Sequence, residues 1–170
     1  MIRVAAPLAL LLALSACGLR PLYGVANSAA RATLASVQVS PIEGQAGWLV
    51  GTAIKDRLAA VDGSAARYRL DVRLDDRITG LGVRRDDSVS RERRTLRARY
   101  QLVDLASNMT VLDATAGSDA GIDVVGSEYA TIAAEQTALE RLSGIVADQI
   151  VSRLALYGQR SAPPSAPTTP

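Results

Sequence analysis

The 170-residue chain contains no histidine, and its one cysteine is Cys17. The missing histidine removes the usual general base and the commonest metal ligand. A single cysteine makes a disulfide within one chain impossible, and if lipid occupies it, no thiol nucleophile remains. No Gly-x-Ser-x-Gly elbow, Walker-type phosphate loop or HExxH pair occurs. The composition therefore points away from an enzyme and calls for no metal or cofactor. Lysine is almost absent as well: of 19 basic residues, Lys55 is the one lysine and the rest are arginine. High-GC codon usage is a neutral source of that bias. The arginine fork nonetheless suits phosphates and carboxylates, so where the arginines stand is informative. A formal net charge of +2 gives no reason to expect a nucleic-acid partner.

What is present begins with an address. Arg3 supplies a positive start, residues 4–14 are uncharged and apolar, and Ser15 and Ala16 are small. At about 11 residues the apolar run falls short of the roughly 20 that a helix needs to span a bilayer. A small-residue site that ends on Cys17 reads as a bacterial lipobox. The expected product starts at Cys17, with diacylglycerol on the sulfur and a palmitate-type acyl group on the new amino terminus. The alternative is an ordinary signal peptide with a free cysteine near its cut. Removing residues 1–16 leaves roughly 150 residues, enough for one domain with its own core.

Gly18, Leu19, Arg20, Pro21, Leu22, Tyr23 and Gly24 read as an extended tether, and residues 27–31 as flexible linker. The division expected is a signal peptide over 1–16, a lipidated tether over 17–32, a folded domain over 33–158 and a disordered Pro/Ala/Ser/Thr tail over 159–170. Within the domain, residues 34–39 predict a strand stopped by Pro41. Val50, Ile54, Leu58 and Val61 recur at helical spacing and predict a helix over 47–61, ended by Asp62-Gly63. Tyr68, Leu70, Val72 and Leu74 alternate with charged residues, and Leu96, Ala98, Tyr100 and Leu102 do the same. Strict alternation predicts strands with one buried and one polar face, as antiparallel sheets allow. A turn at Ser107-Asn108 leads into a fourth strand over 109–116. Between the second and third strands, residues 80–94 are either a long loop or two strand extensions beyond the sheet.

A long helix is predicted over 129–157 from Ile132, Leu139, Leu142, Val146, Ile150, Leu154 and Tyr157. Ser127 suits its N-cap, and Gly158 is placed just past its end. Gly144, mid-helix, predicts a close approach to a strand. The order β-α-β-β-β-α implies an α+β fold, a two-layer α/β sandwich: a four-stranded sheet with two helices on one face and the other face left polar.

The run from Cys17 to Gly24, together with Tyr129-Ala130-Thr131 and the helix ending Leu154-Ala155-Leu156-Tyr157, resembles the LptE family of lipopolysaccharide-assembly lipoproteins, alphaproteobacterial type. The resemblance implies a non-enzymatic protein anchored to the inner leaflet of the outer membrane at its periplasmic face. It implies a plug and assembly partner for the LptD β-barrel, aiding delivery of lipopolysaccharide to the cell surface. A barrel lumen is polar, so a plug needs a polar outer surface and a core of its own. Phosphates and acidic sugars favour bidentate arginine contacts. The candidate lipopolysaccharide-binding residues are Arg84, Arg85, Arg91, Arg93 and Arg94, then Arg97 and Arg99. The competing reading is a solvated, salt-bridged surface in which Asp86, Asp87 and Glu92 neutralise them. Trp48 is expected to pack into the core rather than to serve, with Tyr23, as a surface anchor. A function from another class, a lipid-carrying auxiliary lipoprotein of an envelope transporter, would need an apolar cavity for acyl chains.

Overall fold

A computed structural model describes residues 28–61, 65–83 and 89–161. The lipobox, Cys17, the tether with Tyr23, the Asp62-Gly63 stop, Arg84 to Asp87 and residues 162–170 lie outside them. Among the described residues, three helices and four strands follow in the order α1 (Ser28–Ala35), β1 (Val37–Val39), α2 (Gly44–Ala59), β2 (Tyr68–Val83), β3 (Val89–Asp104), β4 (Met109–Asp123) and α3 (Glu128–Ser161).

The four strands form one sheet in the order β1-β2-β3-β4. β2, β3 and β4 are antiparallel neighbours, and β1 runs parallel to β2. The parallel pair arises because α2 crosses back between the two strands, which a hairpin cannot do. The expected α+β sandwich is what forms, with a mixed sheet. Of the two possibilities for residues 80–94, strand extension is realised: Val83 pairs with Val89, so β2 and β3 are each 16 residues long.

Alternation sets which face is buried. Tyr68, Leu70 and Val72 on β2, and Leu96, Ala98, Tyr100 and Leu102 on β3, point toward the helices. Val50 and Ile54 of α2 meet them, as do Leu139, Leu142, Val146, Ile150 and Leu154 of α3. Each such aliphatic side chain taken out of water is worth about 1.5–3 kcal/mol, which is what holds the two layers together. Tyr68 also meets Tyr157 edge-on, with ring centroids 6.1 Å apart.

Five sequence expectations change. Residues 27–31 were expected as linker, yet Ser28–Ala35 is helical and buries Ala30 and Leu34 against α3. The first strand accordingly shrinks to Val37–Val39. Gly158 lies inside α3, which runs on to Ser161 and takes in the first residues assigned to the tail. A Cβ at Gly158 would stand 2.5 Å from Thr33 Oγ1, so this glycine lets α1 lie against α3. Gly144 approaches α2 rather than a strand: Arg57 Nη2 donates to its carbonyl at 3.2 Å. Trp48 is 67% exposed rather than core.

The ends of the elements are chemically marked. Ser127 Oγ accepts from the Ala130 N–H at 3.5 Å, the N-cap expected for α3. Asp104 Oδ1 accepts from the N–H groups of Ala106 (2.9 Å) and Ser107 (3.2 Å), and Asn108 takes a left-handed φ of 55° to close the β3–β4 turn. These donors hold the Asp104 carboxyl below the ordinary aspartate range, with Arg67 adding to the effect. No helix of the described residues is long and apolar enough to cross a membrane.

Candidate functional site

The face of the sheet turned away from the helices is an arginine–aspartate lattice. Register places Arg69, Asp71, Arg73, Asp75 and Arg77 of β2 beside Arg99, Arg97, Arg93 and Arg91 of β3. Asp113, Asp119 and Asp123 of β4 flank them on the other side. Seven arginines thus face five aspartates, so the surface is cationic but largely paired.

The pairs are specific. Arg99 grips Asp113 with Nε at 3.3 Å and Nη2 at 3.0 Å, and Gln101 donates to the same carboxylate at 2.9 Å. Asp113 is consequently held below the ordinary carboxylate range, through Arg99 first and Gln101 second. Arg91 meets Asp123 at 2.9 Å, Arg93 stands 3.9 Å from Asp119, and Arg77 meets Asp75 at 2.8 Å. Arg69 Nε lies 3.0 Å from Asp71, whose other oxygen accepts from Ser40 Oγ at 2.6 Å. Exposed pairs of this kind add little stability, so the lattice serves solvation and presentation of charge.

Arg73 and Arg97 stand apart: neither makes an ion pair among the described residues. Arg73 is the cross-strand neighbour of Arg99, and Arg97 lies one row along. Arg97 stretches over Gly117, where a Cβ would come within 2.6 Å of its Cδ and Nη1. Arg97 itself fills the space over Gly117, and around it lies a shallow hollow of about 590 Å³ lined by Arg73, Asp75, Arg97, Arg99 and Thr115. Three guanidinium groups, two of them uncommitted, can receive a phosphate or carboxylate there with little loss of existing contacts.

Placement of the sequence candidates is uneven. Arg91, Arg93, Arg97 and Arg99 share the open face, while Arg84 and Arg85 lie outside the described residues. Arg94 has the parity of Leu96 and points to the helix side. There it is saturated: Nε and Nη2 donate to Asp76 at 2.9 and 2.6 Å, and Nη1 to the Glu135 carbonyl at 2.9 Å. With its side chain only 12% exposed, it fastens β3 to β2 and α3. Next to it, burial and then the neighbouring Glu135 raise the Glu92 carboxyl above its ordinary value. Arg73 was missed. Its charge and parity were visible, but its position opposite Arg99 follows only from the strand register.

The two sheet edges are also chemically guarded. β1 ends at Val39, so β2 is unpaired on that side beyond Leu70, and charged Asp75 and Arg77 lie along it. On β4, the Gln149 side chain of α3 acts as a short strand: it accepts from the Gly117 N–H at 2.9 Å and donates to its carbonyl at 3.3 Å. Charge and capping of this kind discourage edge-to-edge association.

Comparison with known proteins agrees with this architecture. A lipoprotein from Caulobacter crescentus CB15 shares 25% identity and superposes with a TM-score of 0.62, over 78% of this chain and 97% of that one. A minor lipoprotein from Acinetobacter baumannii gives 15% identity and a TM-score of 0.57, over 71% and 91% of the respective chains. Rare lipoprotein B from Shewanella oneidensis gives 14% and 0.51, over 71% and 92%. The last two likenesses speak for the fold alone. No curated protein sequence matches the chain. The lipopolysaccharide-assembly family model, LptE, matches residues 34–154, from the last turn of α1 to the late turns of α3. That span covers most of the sandwich, and the chain therefore belongs to the LptE family.

Proposed function

We propose that this protein is an outer-membrane lipoprotein, anchored through lipid on Cys17 at the periplasmic face. In this reading it is a plug and assembly partner of the LptD barrel in lipopolysaccharide delivery. It does no covalent chemistry of its own and needs no cofactor. The observation that carries the reading is the family match over residues 34–154 on a fold whose open face is polar and rich in arginine. A plug must satisfy a hydrated, charged lumen without unfolding, and a lattice of exchangeable ion pairs does that at low cost. The phosphates of lipopolysaccharide are assigned to the hollow at Arg73, Arg97 and Arg99, with Arg91 and Arg93 extending the cationic strip.

The lipid-carrier alternative is weaker. The space between the layers is filled by side chains, among them Leu70, Leu96, Leu102 and Ile150, each essentially inaccessible to water. Acyl chains entering between the sheet and the helices would have to displace that core.

Binding of purified lipopolysaccharide to the mature lipoprotein tests the hollow. Arg73→Glu with Arg97→Glu is expected to weaken binding at least tenfold, with an unchanged thermal midpoint. The loss should shrink as salt is raised. Equal affinity for wild type and variant at low salt would remove the hollow from the reading.

A further inference from the structure

A second cavity, on the helix side, has no place in that reading. It measures about 370 Å³ and opens between α1, the end of α2 and α3. Ala60 and Val61 at the end of α2 give it an accessible aliphatic side, and the nearly enclosed Ala30, Leu34 and Val151 form its floor. Arg31, Arg57 and Asp148 stand at its rim. It exists because α1 leans on α3 through Ala29, Thr33 and Gly158 and hardly touches α2. Its size is in the range of sites that take an apolar occupant.

We propose that the cavity is the dock of the chain's own segment Leu19 to Tyr23, with Leu22 as the main insert. Two observations select this occupant. The first is reach: α1 begins at Ser28 and forms one wall, so Leu22 stands six residues from that wall, a span of up to about 20 Å. The second is chemistry. Leu19, Leu22 and Tyr23 are the large apolar groups of a short run bounded by Gly18 and Gly24. Pro21 presets an extended backbone, and in a three-residue-per-turn polyproline helix Leu19 and Leu22 project to one side. An aliphatic cavity with a charged rim matches such a strip, which carries Arg20 on another side. Docking holds Cys17 within two residues of the seated segment. The lipid anchor is then tied to the α1 side of the sandwich instead of trailing from it, and the domain has a fixed orientation at the membrane. The inference does not depend on the identity of any barrel partner.

Photo-crosslinking in the full mature lipoprotein tests it, with a benzophenone amino acid in place of Ala60 at the rim. The expected product keeps the mass of one chain and joins position 60 to the peptide containing Leu22. Leu19→Ser with Leu22→Ser should reduce that product at least fivefold and speed amide exchange in α1 at least tenfold. The same probe at Thr52, on the flank of α2, should not label the segment. A product with a second copy, a barrel or lipid would overturn the inference. So would an intrachain product that the serine variant leaves unchanged, or no product at all. Circular dichroism of the variant separates loss of docking from loss of fold.

Discussion

Two glycines of α3 should respond to the same substitution with opposite signs. Alanine in a helix interior is favoured over glycine by about 1 kcal/mol. At Gly144 nothing opposes that gain, because the nearest atom to a new Cβ is Arg57 Nη2 at 3.8 Å, an ordinary contact. At Gly158 the new Cβ would stand 2.5 Å from Thr33 Oγ1, 2.7 Å from Thr33 Cβ and 3.2 Å from the Ala29 carbonyl oxygen. A Cβ and a backbone oxygen cannot swing aside, so α1 as a whole must retreat, and overpacking of this kind costs about 1–3 kcal/mol. The balance at Gly158→Ala is a loss of up to about 2 kcal/mol. For a domain of this size that lowers Tm by up to about 8 °C, whereas Gly144→Ala raises it by up to about 4 °C. Thr33→Ala added to Gly158→Ala should restore only part of the loss, since the Cβ and the Ala29 carbonyl remain. Thermal unfolding of the four proteins by circular dichroism gives the answer. A Gly158→Ala protein as stable as Gly144→Ala would refute the packing of α1 on α3.

Two further predictions concern the charged cluster under the start of α3. Glu92 Oε2 is buried and has no hydrogen-bond partner among the described residues while both carboxylates are charged; the carboxyl is raised first by burial, then by the charge of Glu135 and by a hydrogen bond to it that only the protonated acid can make. A raised carboxyl binds its proton more tightly when folded, so it lowers stability as pH rises from about 4.5 through the folded value. Glu92→Gln should therefore stabilise the protein at pH 7, by less than about 1 kcal/mol because the side chain is partly solvated. The gain should vanish by pH 4 in urea titrations. Asp76→Asn leaves Arg94 charged, nearly enclosed and without its bidentate partner, and should cost about 2 kcal/mol in the urea midpoint. Arg94→Met with Asp76→Leu, which removes both charges, should recover most of that loss.

How much of this was readable in the sequence varies by element for physical reasons. β3 and the lower half of β2 declared themselves because one face is buried and the other wet, which forces alternation. The upper half of β2 did not: Asp75, Asp76 and Arg77 are consecutive charges where both faces are accessible, so no period remains. α1 was hidden because its eight residues are mostly small, and only Ala30 and Leu34 carry its buried face. Gly158 resembled a helix stop because glycine serves termini and close crossings alike. Grouping Arg94 with its sequence neighbours ignored parity, which assigns it to the side of Leu96. Arg73 needed the cross-strand register, which no local pattern carries.

The central claim is partnership with an outer-membrane barrel, and gentle detergent extraction with affinity capture of the mature lipoprotein tests it most directly. The expected result is one dominant companion, identified by mass as a large β-barrel of the LptD type, retained at near-equal stoichiometry through washing in moderate salt. Recovery of the lipoprotein free of any barrel under those conditions would contradict it.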